Sequence, residues 1–503
     1  MLIAVAALGL AVGMAIIDRA HVGVFHDDAM YVILARALAT GHGFRYLNLP
    51  GAPIASHFPP GYPAVLSVVW RVAPDFPANV AAFKAVNVAC LSASAVLVTQ
   101  LVHDRLDSER WGLCAGIMTA VSVPLLVLVT MVLSEPLFLV LLLTVLLLAE
   151  RLAAGGESMR RSAWIGVLAG VTVLVRSHGI MLVPAIALPL LARRRWRDAA
   201  TFTLGTLGVV LPWQLWVGAN AAPLPAPVAG NYGSYVSWWM RGFSDMGPAM
   251  IPETLRRTVP EILSMLSSLF SPSPSRGAHL VSIIALLTLL GFGALGLRRR
   301  APVTLGFFCG YLALVLVWPF PPARFIWGVW PLLVFVLIAG ARDITARDWG
   351  RGPFLRAIAA AALLWVAVGH ASYELRAVRG QWWASISRSA DRRIAPAIAW
   401  TVAHTAPSDV VAADDEGAIF LYTGRHAVPV ESFTTAHYLR ERSIPELAAE
   451  GLVPVLATYP VRVVLAESAR TFAIAQYLAG VPVPLLALRD QFTGGAAFTV
   501  LTR

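Results

Sequence analysis

The sequence is organised around residues 25–63, which run FHDDAMYVILARALATGHGFRYLNLPGAPIASHFPPGYP. Two adjacent carboxylates, Asp27 and Asp28, precede a short helical pattern over 29–39, and a turn rich in Pro, Gly and aromatic residues follows about thirty residues later. One of the aspartates is expected to cap this helix, which Gly41 would end. Capping alone does not account for two acids beside strongly apolar sequence, because a carboxylate there can also act as a general base or hold a cation.

The first 371 residues are otherwise dominated by long apolar runs. Of the 503 residues, 58% are hydrophobic and only 13% are charged, whereas soluble domains carry roughly a quarter charged residues. The composition therefore predicts a polytopic α-helical membrane protein. A spanning helix needs about 20 mostly apolar residues. By that measure the sequence predicts about 11 transmembrane helices, near 2–17, 79–102, 111–130, 135–152, 162–178, 180–192, 199–218, 278–297, 302–319, 324–340 and 355–371.

The net charge of +11 does not indicate nucleic-acid binding, because the arginines form short clusters between apolar runs. Such clusters are typical of cytoplasmic loops. They lie at 103–110, 151–161, 193–197, 298–300 and 342–356. An even number of predicted helices separates each cluster from the next, so all five can lie on one side. We therefore expect a multi-pass protein of the cell inner (plasma) membrane.

The opposite, outer side then holds a first loop over 18–78, a long loop over 219–277 and everything after 372. The composition after 372 is that of a soluble domain, so the chain divides into a transmembrane domain, 1–371, and a small extracytoplasmic α/β domain, 372–503. Short buried strands are predicted at 410–413, 418–422, 463–466 and 498–501. Helices are predicted at 394–405, 443–450 and 469–478.

Several polar residues on the predicted outer side are candidates for a site. His57 and Tyr62 belong to the Pro-Gly turn, which either only shapes the backbone or returns both side chains to the membrane surface near Asp27. Glu135 stands between two apolar runs. It is either a first-turn acid favoured by the helix dipole or part of the site.

The basic candidates are Lys84, Arg176 and Arg324, together with His178. Arg176 and His178 interrupt an apolar run, and an arginine at that depth is costly unless it is paired or faces water. Arg324 stands at the start of a helix, against the helix dipole, and this position predicts an anionic partner. Lys84 either extends towards lipid headgroups or binds a ligand. These cations could contact a phosphate.

This constellation resembles the GT-C integral-membrane glycosyltransferases, in the branch of the lipid A aminoarabinose transferase and the protein O-mannosyltransferases. The resemblance is carried by Asp27-Asp28-Ala29-Met30-Tyr31 and by the turn 57–62, HFPPGY. Weaker similarities are the segments 133–138, LSEPLF, 175–179, VRSHG, and 323–325, ARF. The resemblance covers residues 1–370 loosely and is specific only in the first loop.

The resemblance implies a polyprenyl-phosphate sugar donor and a catalytic carboxylate at Asp27, with Asp28 as the companion acid. The remaining substrate-binding candidates are His57, Tyr62, Lys84, Glu135, Arg176, His178 and Arg324. Relatives often have a lysine just before the Pro-Pro turn, where this chain has Phe58. The phosphate contact then falls to Lys84, Arg176 or Arg324. Relatives often read Arg-Pro-Glu-Gly at the later bend, where this chain has Ser177 and His178.

The expected function is a hexosyl- or pentosyltransferase of the cell envelope that moves a sugar from a polyprenyl-phosphate donor to a lipid, glycan or protein on the outer face of the membrane. No cofactor is required by the pattern, although a divalent metal cation at Asp27, Asp28 and Glu135 is possible. The three cysteines lack metal-like spacing. A transporter or flippase of lipid-linked sugars is the main alternative, although no internal repeat supports it. A non-catalytic envelope assembly protein is the other alternative.

Overall fold

A computed structural model describes residues 1–23, 25–346 and 353–501. The first part of the chain forms α1 (Leu2–Ile16), α2 (Asp27–Ala39), α3 (Gly61–Val72), α4 (Val80–Leu106), α5 (Glu109–Val121), α6 (Val123–Val129), α7 (Glu135–Ala154), α8 (Met159–Val175), α9 (Leu182–Ala192) and α10 (Trp196–Asn220). The next part forms α11 (Ala226–Tyr232), α12 (Tyr235–Met246), α13 (Met250–Phe270), α14 (Arg276–Arg300), α15 (Pro302–Leu316), α16 (Ala323–Gly328), α17 (Trp330–Ala346) and α18 (Pro353–Gly380).

All eleven segments predicted to span the membrane are mainly helical, but 111–130 is divided between α5 and α6, and 324–340 between α16 and α17. Among the described residues, five helices are long and apolar enough to cross a membrane: Val80–Leu106, Glu135–Ala154, Trp196–Asn220, Arg276–Arg300 and Arg356–Gly380. A sixth is added if α5 and α6, which meet at a bend of 48°, form one span. The helices α1 and α15 and the segment Ser177–Ala192 are apolar but shorter. The helical membrane architecture is therefore supported, while the number of spans stays a prediction.

Two helices of the bundle pack with their backbones in contact at glycines. A Cβ added at Gly293 of α14 would lie 2.0 Å from the carbonyl oxygen of Val336. One added at Gly340 of α17 would lie 2.0 Å from that of Leu289. Small residues allow this close approach, which is how apolar helices pack in a membrane, where lipid is as apolar as a side chain.

The arginine-rich turns contact one another at one end of the bundle. Arg151 pairs with Asp104 at 2.8 Å, and Arg195 donates to the carbonyl oxygen of Leu152 at 2.7 Å. The carboxylate of Glu150 accepts from the backbone N–H of Thr304 at 2.8 Å. Glu135 lies at the opposite end of α7, which at 20 residues spans about 30 Å. The candidate site and these turns therefore occupy opposite ends of the bundle. Residues 347–352 of the predicted cluster at 342–356 lie outside the described residues.

The segment 219–277, predicted as a long loop, contains the three helices α11, α12 and α13. The helices α12 and α13 are amphipathic, and Trp238 and Gly242 are buried on α12. At the predicted domain boundary of 371/372, α18 continues without a break and ends at Gly380. The division of the chain into two domains at that position stays a prediction.

After α18 the chain forms a small α/β unit. Its sheet comprises β1 (Val410–Ala413), β2 (Ala427–Pro429), β3 (Val461–Ala466), β4 (Leu486–Phe492) and β5 (Gly495–Val500), in the order β2-β1-β3-β5-β4. The strands β2, β1 and β3 are parallel, and β5 and β4 are antiparallel to their neighbours. Its helices are α19 (Ser385–His404), α20 (Glu416–Thr423), α21 (Thr435–Leu439), α22 (Ile444–Leu447), α23 (Val453–Thr458) and α24 (Ala469–Gly480).

One of the four strand predictions is wrong. Residues 418–422 form the centre of α20, because this apolar run packs against α2 instead of joining the sheet. A Cβ at Gly417 would lie 2.7 Å from Cβ of Ala29. A five-residue apolar run fits a buried helix as well as a buried strand, so its period does not distinguish the two.

This unit packs on the first loop, 18–78. The carbonyl oxygen of Asn48 accepts from the N–H of Ala427 at 2.9 Å, and the N–H of Val22 donates to the Tyr422 hydroxyl at 3.0 Å. His21 lies 2.5 Å from the carboxylate of Asp391. The C-terminal unit thus packs directly on the first loop and helps to form the walls around Asp27.

Candidate active site

Asp27 is the first residue of α2 and is held by an arginine from a distant part of the chain. Its Oδ2 accepts a hydrogen bond from Nη1 of Arg324 at 2.7 Å. Burial acts to raise the pKa of Asp27, but the positive charge of Arg324, together with that of His26, outweighs burial and lowers this pKa below its ordinary value. Asp27 is therefore ionised at neutral pH.

Glu135 brings a second arginine to the same place. It begins α7, and its Oε1 accepts from Nε of Arg324 at 2.5 Å, while Nη1 of Arg176 lies 2.8 Å from the same oxygen. Arg176 follows the last residue of α8 and also donates to Oγ of Ser134 at 3.1 Å. Two carboxylates and two guanidiniums from four separate elements thus form one charge-balanced cluster, which is the condition for keeping ions away from water.

Two atoms of this cluster have no hydrogen-bond partner within the described part of the chain. They are Nη2 of Arg324 and Oε2 of Glu135, and both are buried. The Arg324 guanidinium lies over the ring of Phe25, with 5.5 Å to the ring centroid. Since an unpaired buried N–H is costly, this N–H is a donor ready for a ligand oxygen.

His57 lies beside the cluster with its ring held in one orientation. Its Nδ1 hydrogen-bonds the carbonyl oxygen of Gly233, and its ring packs on Tyr235 with 3.8 Å between centroids. Burial lowers the pKa of His57 to about 4. The imidazole is therefore neutral at physiological pH, with Nδ1 as the donor and Nε2 as the acceptor.

A cavity of about 440 Å³ adjoins this histidine. Ser56 and Gly233 line it, together with Trp238 and Arg241 of α12 and Thr434 of the C-terminal unit. The cavity provides space for a small polar molecule, and its lining includes neither His57 nor a residue of the charged cluster.

The Pro-Gly turn is positioned by a close approach to α8. A Cβ added at Gly61 would lie 2.8 Å from the carbonyl oxygen of Leu174, two residues before Arg176. Tyr62 is fully buried, and its hydroxyl donates to Oδ1 of Asn87 at 3.0 Å. Its ring meets that of Tyr31 edge-on, and Tyr31 in turn bonds Ser134. Tyr62 therefore supports the wall of the site from behind.

The other candidates lie at different distances from the cluster. Asp28 accepts from the N–H groups of Gly23 and Phe25, at 2.8 and 3.0 Å, and so shapes the loop before Asp27. Lys84 is almost fully buried and pairs with Asp18 at 2.5 Å, which ties α4 to the same loop. His178 lies among aromatic rings, 5.1 Å from that of Phe325. The structure brings Asp27, Glu135, Arg176 and Arg324 together, with His57 beside them, and places Asp28, Tyr62, Lys84 and His178 in the surrounding shell.

The predicted metal ligands do not form a suitable donor set. Asp27 and Glu135 have arginine partners, and both Oδ atoms of Asp28 accept backbone N–H groups. In the three described ranges, no group of three His, Cys, Asp or Glu side chains is arranged to hold a metal ion.

Sequence reasoning missed a buried network that reaches the site from the C-terminal unit. Oε1 of Glu416 accepts from the Tyr232 hydroxyl at 2.7 Å and lies 3.2 Å from Nδ1 of His26. Asn48 donates to the same hydroxyl at 2.7 Å. Burial acts to lower the pKa of His26, but the charge of Glu416 outweighs it and raises this pKa. The one sequence signal was the acidic run at 414–416 directly after a predicted strand.

Comparison with known proteins identifies the fold. No family model and no curated protein sequence matches the chain. Among solved structures, ArnT from Cupriavidus metallidurans bound to undecaprenyl phosphate is 14% identical, with a TM-score of 0.59 over 99% of this chain and 97% of that one. The Archaeoglobus fulgidus oligosaccharyltransferase, tethered with an acceptor peptide, is 12% identical, with a TM-score of 0.53 over 94% of this chain and 70% of that one. Both are GT-C glycosyltransferases, and this chain has the GT-C fold.

Proposed function

We propose that this chain is a glycosyltransferase of the cell inner membrane that moves a sugar from a polyprenyl-phosphate donor to an acceptor on the outer face. The observation that carries the proposal is the position of Arg324, which joins Asp27 to Glu135 and has a buried N–H with no partner among the described residues. A phosphate oxygen is the ligand that such a donor binds best. Two similar structures were solved with undecaprenyl phosphate and with a dolichol-phosphate, which supports this class of donor.

The charge balance of the cluster explains how a donor would activate Asp27. Without a ligand, two carboxylates offset two guanidiniums. A donor phosphate that binds Arg324 and Arg176 competes with Asp27 for Arg324. Since the charge of Arg324 is what opposes burial in setting the pKa of Asp27, the loss of this contact raises the pKa and makes the carboxylate a better base.

The transfer then follows from the positions of these groups. The acceptor oxygen attacks the anomeric carbon of the sugar while Asp27 takes the acceptor proton. The bond between that carbon and the phosphate oxygen breaks, and its electron pair leaves with the phosphate. Arg324 and Arg176 stabilise the departing charge. Attack from the face opposite the phosphate would invert the anomeric centre, as the resemblance to the GT-C enzymes implies.

His57 and the adjoining cavity fit the acceptor side of this reaction. The neutral imidazole presents an acceptor nitrogen, and the 440 Å³ cavity beside it has room for the hydroxyl-bearing end of an acceptor. Lys84, Tyr62 and Asp28 are proposed to support the donor side by fixing the loop before Asp27 and the wall behind it. We propose that the C-terminal unit lies outside the membrane, where it closes the site.

The test is sugar transfer by the purified full-length protein with a panel of pentosyl and hexosyl polyprenyl phosphates, with products identified by mass spectrometry. The Asp27→Asn variant should remain folded and lose about 10²–10⁴-fold in rate, the usual share of a general base. Asp104→Asn, which removes a carboxylate paired with arginine at the far end of the bundle, is the matched control. Undiminished transfer by Asp27→Asn, or movement of the lipid-linked sugar without bond cleavage, would refute the proposal.

A further inference from the structure

A second cavity, of about 420 Å³, lies between α13 and the C-terminal unit and is strongly cationic. Four arginines line it, together with His437 and a single acid, Glu441. The arginines are Arg257 of α13, Arg440 and Arg442 from the connection between α21 and α22, and Arg470 of α24. They come from three separate parts of the chain, so only the folded protein brings them together.

The ion pairs of these arginines leave donors free. Arg257 pairs with Glu261 at 3.0 Å, Arg470 lies 3.3 Å from Glu431, and Arg442 pairs with Glu450. Within the described ranges, the Arg440 side chain has no ion-pair partner. A guanidinium carries five N–H groups, and each of these pairs occupies one or two of them. The cavity can therefore donate several charge-assisted hydrogen bonds to one anion.

Tyr438 connects this cavity, through a ring contact, with the segment that carries Arg324. It lines the cavity, and its ring packs on that of Phe320 with 4.7 Å between centroids. Phe320 lies four residues before Arg324. Burial raises the pKa of the Tyr438 hydroxyl, and the negative charges of Asp27 and Glu431 add to this rise against the opposing charges of Arg257 and Arg470. The ring contact with Phe320 therefore links the wall of the cavity to the segment that ends at Arg324, the partner of Asp27.

We propose that this cationic cavity binds a phosphate group of the acceptor, so that an acceptor hydroxyl extends past Tyr438 towards Asp27. The proposal rests on the proposed function and names the acceptor class, a molecule that carries a phosphate as well as the hydroxyl that receives the sugar. A phosphate fits better than a carboxylate, because it offers three acceptor oxygens and more than one negative charge to a ring of guanidiniums.

Binding is measured first, without any transfer reaction. Inorganic pyrophosphate is titrated by calorimetry into the purified full-length protein and into the Arg440→Gln and Arg470→Gln variants. Each substitution should weaken binding by about tenfold, because a hydrogen bond to a charged group is worth more than a neutral one. Arg462→Gln is the matched control, because its side chain is 73% exposed and lies outside the cavity. Arg324→Gln tests whether the pyrophosphate binds at the donor site instead.

The proposal predicts that pyrophosphate binding is retained in Arg462→Gln and Arg324→Gln and weakened in both cavity variants. Absence of binding to the wild-type protein, or equal binding by the wild-type protein and the two cavity variants, would overturn it. Competition with glucose 6-phosphate and with dihexanoyl phosphatidic acid distinguishes a soluble from a lipid source of the phosphate, and the stronger competitor identifies it.

A sugar-transfer assay then tests whether the cavity holds the acceptor during catalysis. With a phosphate-bearing acceptor, the cavity variants should raise KM by about tenfold and leave kcat nearly unchanged, as expected when only uniform binding is lost. An unchanged KM would show that the cavity does not hold the acceptor. Failure of the wild-type protein to transfer any sugar would refute the proposed function and leave the pyrophosphate result standing, so the two failures can be distinguished.

Discussion

Two buried clusters of acids in this molecule differ in their ratio of carboxylates to guanidiniums. At the candidate active site, Asp27 and Glu135 share Arg176 and Arg324. At the carboxyl ends of β1 and β3, the three acids Asp414, Asp415 and Glu467 lie together, and in the described part of the chain Arg393 forms an ion pair with one of them, Asp415, at 2.7 Å.

The two ratios give opposite protonation states. At the site, the charge of the arginines outweighs burial, and the pKa of Asp27 is lowered. At the sheet, burial outweighs Arg393 and the neighbouring acids add to it, so the pKa of Asp415 rises to about 7 and that of Glu467 rises well above its ordinary value. Burial alone therefore does not decide whether an acid is ionised in this protein. The number of guanidiniums within reach decides it.

Removing an arginine from the balanced cluster should have the largest effect. Arg324→Gln leaves Asp27 and Glu135 with one guanidinium, which makes the site resemble the sheet cluster. We expect transfer to fall about 10²–10³-fold, since a donor to the leaving phosphate is lost. The free energy of unfolding should fall by about 3–5 kcal/mol, the usual result of breaking a buried ion pair.

The matched control for this change is Arg300→Gln. Arg300 pairs with Asp343 at 2.6 Å, but its side chain is 36% exposed and the pair lies at the other end of the bundle. A pair that is exposed in this way is worth about 1 kcal/mol or less. Transfer assays and chemical denaturation in detergent compare the two variants. An Arg324→Gln variant as active and as stable as Arg300→Gln would show that the arginines of the site neither stabilise the buried acids nor act in transfer.

The next effect concerns the network that connects the C-terminal unit with the site. Glu416→Gln keeps an acceptor for the Tyr232 hydroxyl but removes the charge that raises the pKa of His26. We expect activity to fall about tenfold, because small displacements of reacting groups cost up to about 10²-fold. The alkaline limb of the pH–rate profile should move to lower pH. Glu446→Gln, which alters only an exposed helix cap, should leave the profile unchanged.

His57 predicts how the stability of the site depends on pH. Its pKa in the folded protein is about 4, below the ordinary value of 6.5, so the unfolded chain binds more protons between these values. The contribution of His57 to stability is therefore lost as the pH falls from about 6.5 to about 4. His57→Asn, whose amide can still donate to the carbonyl oxygen of Gly233, should show a smaller loss over this range. If the melting temperatures of the wild-type protein and of His57→Asn changed equally with pH, this explanation would be wrong.

The sheet cluster should show the opposite sign and the smallest effect. The raised pKa values of Asp415 and Glu467 mean that the folded protein binds more protons than the unfolded chain as the pH rises from about 4 to 7, so stability falls with rising pH. Glu467→Gln should raise the free energy of unfolding at pH 8 by about 1 kcal/mol, the equivalent of about one pKa unit, and have no effect near pH 4. Transfer activity should not change, and a destabilised variant at pH 8 would contradict the comparison.

Much of the fold followed from hydrophobic length and charge. The eleven apolar segments are mainly helical, because a helix satisfies the backbone hydrogen bonds of an apolar segment within the segment itself. The short elements were harder to predict. Residues 418–422 form a helix where a strand was expected, and β2 and β4 were missed, because short apolar or mixed runs fit either structure until a neighbour selects one.

Within the site, the sequence could propose the participants but not their partners. Asp27, Glu135, Arg176 and Arg324 were selected one at a time, each as a charge next to apolar sequence. Their pairing joins residues up to 297 positions apart, and no local pattern encodes it. Glu416 was not selected at all, because an acid after a short strand in a soluble unit has no unusual local environment.

The amino-acid sequence alone indicates a helical membrane protein. It also indicates that the arginine-rich turns and the acidic first loop lie at opposite ends of the helices, because apolar length and charge act locally along the chain. The tertiary structure decided which acids are ionised. Protonation in a buried place depends on the distance to the nearest opposite charge, and at Asp27 that charge comes from Arg324, a residue that only the folded bundle brings within 2.7 Å.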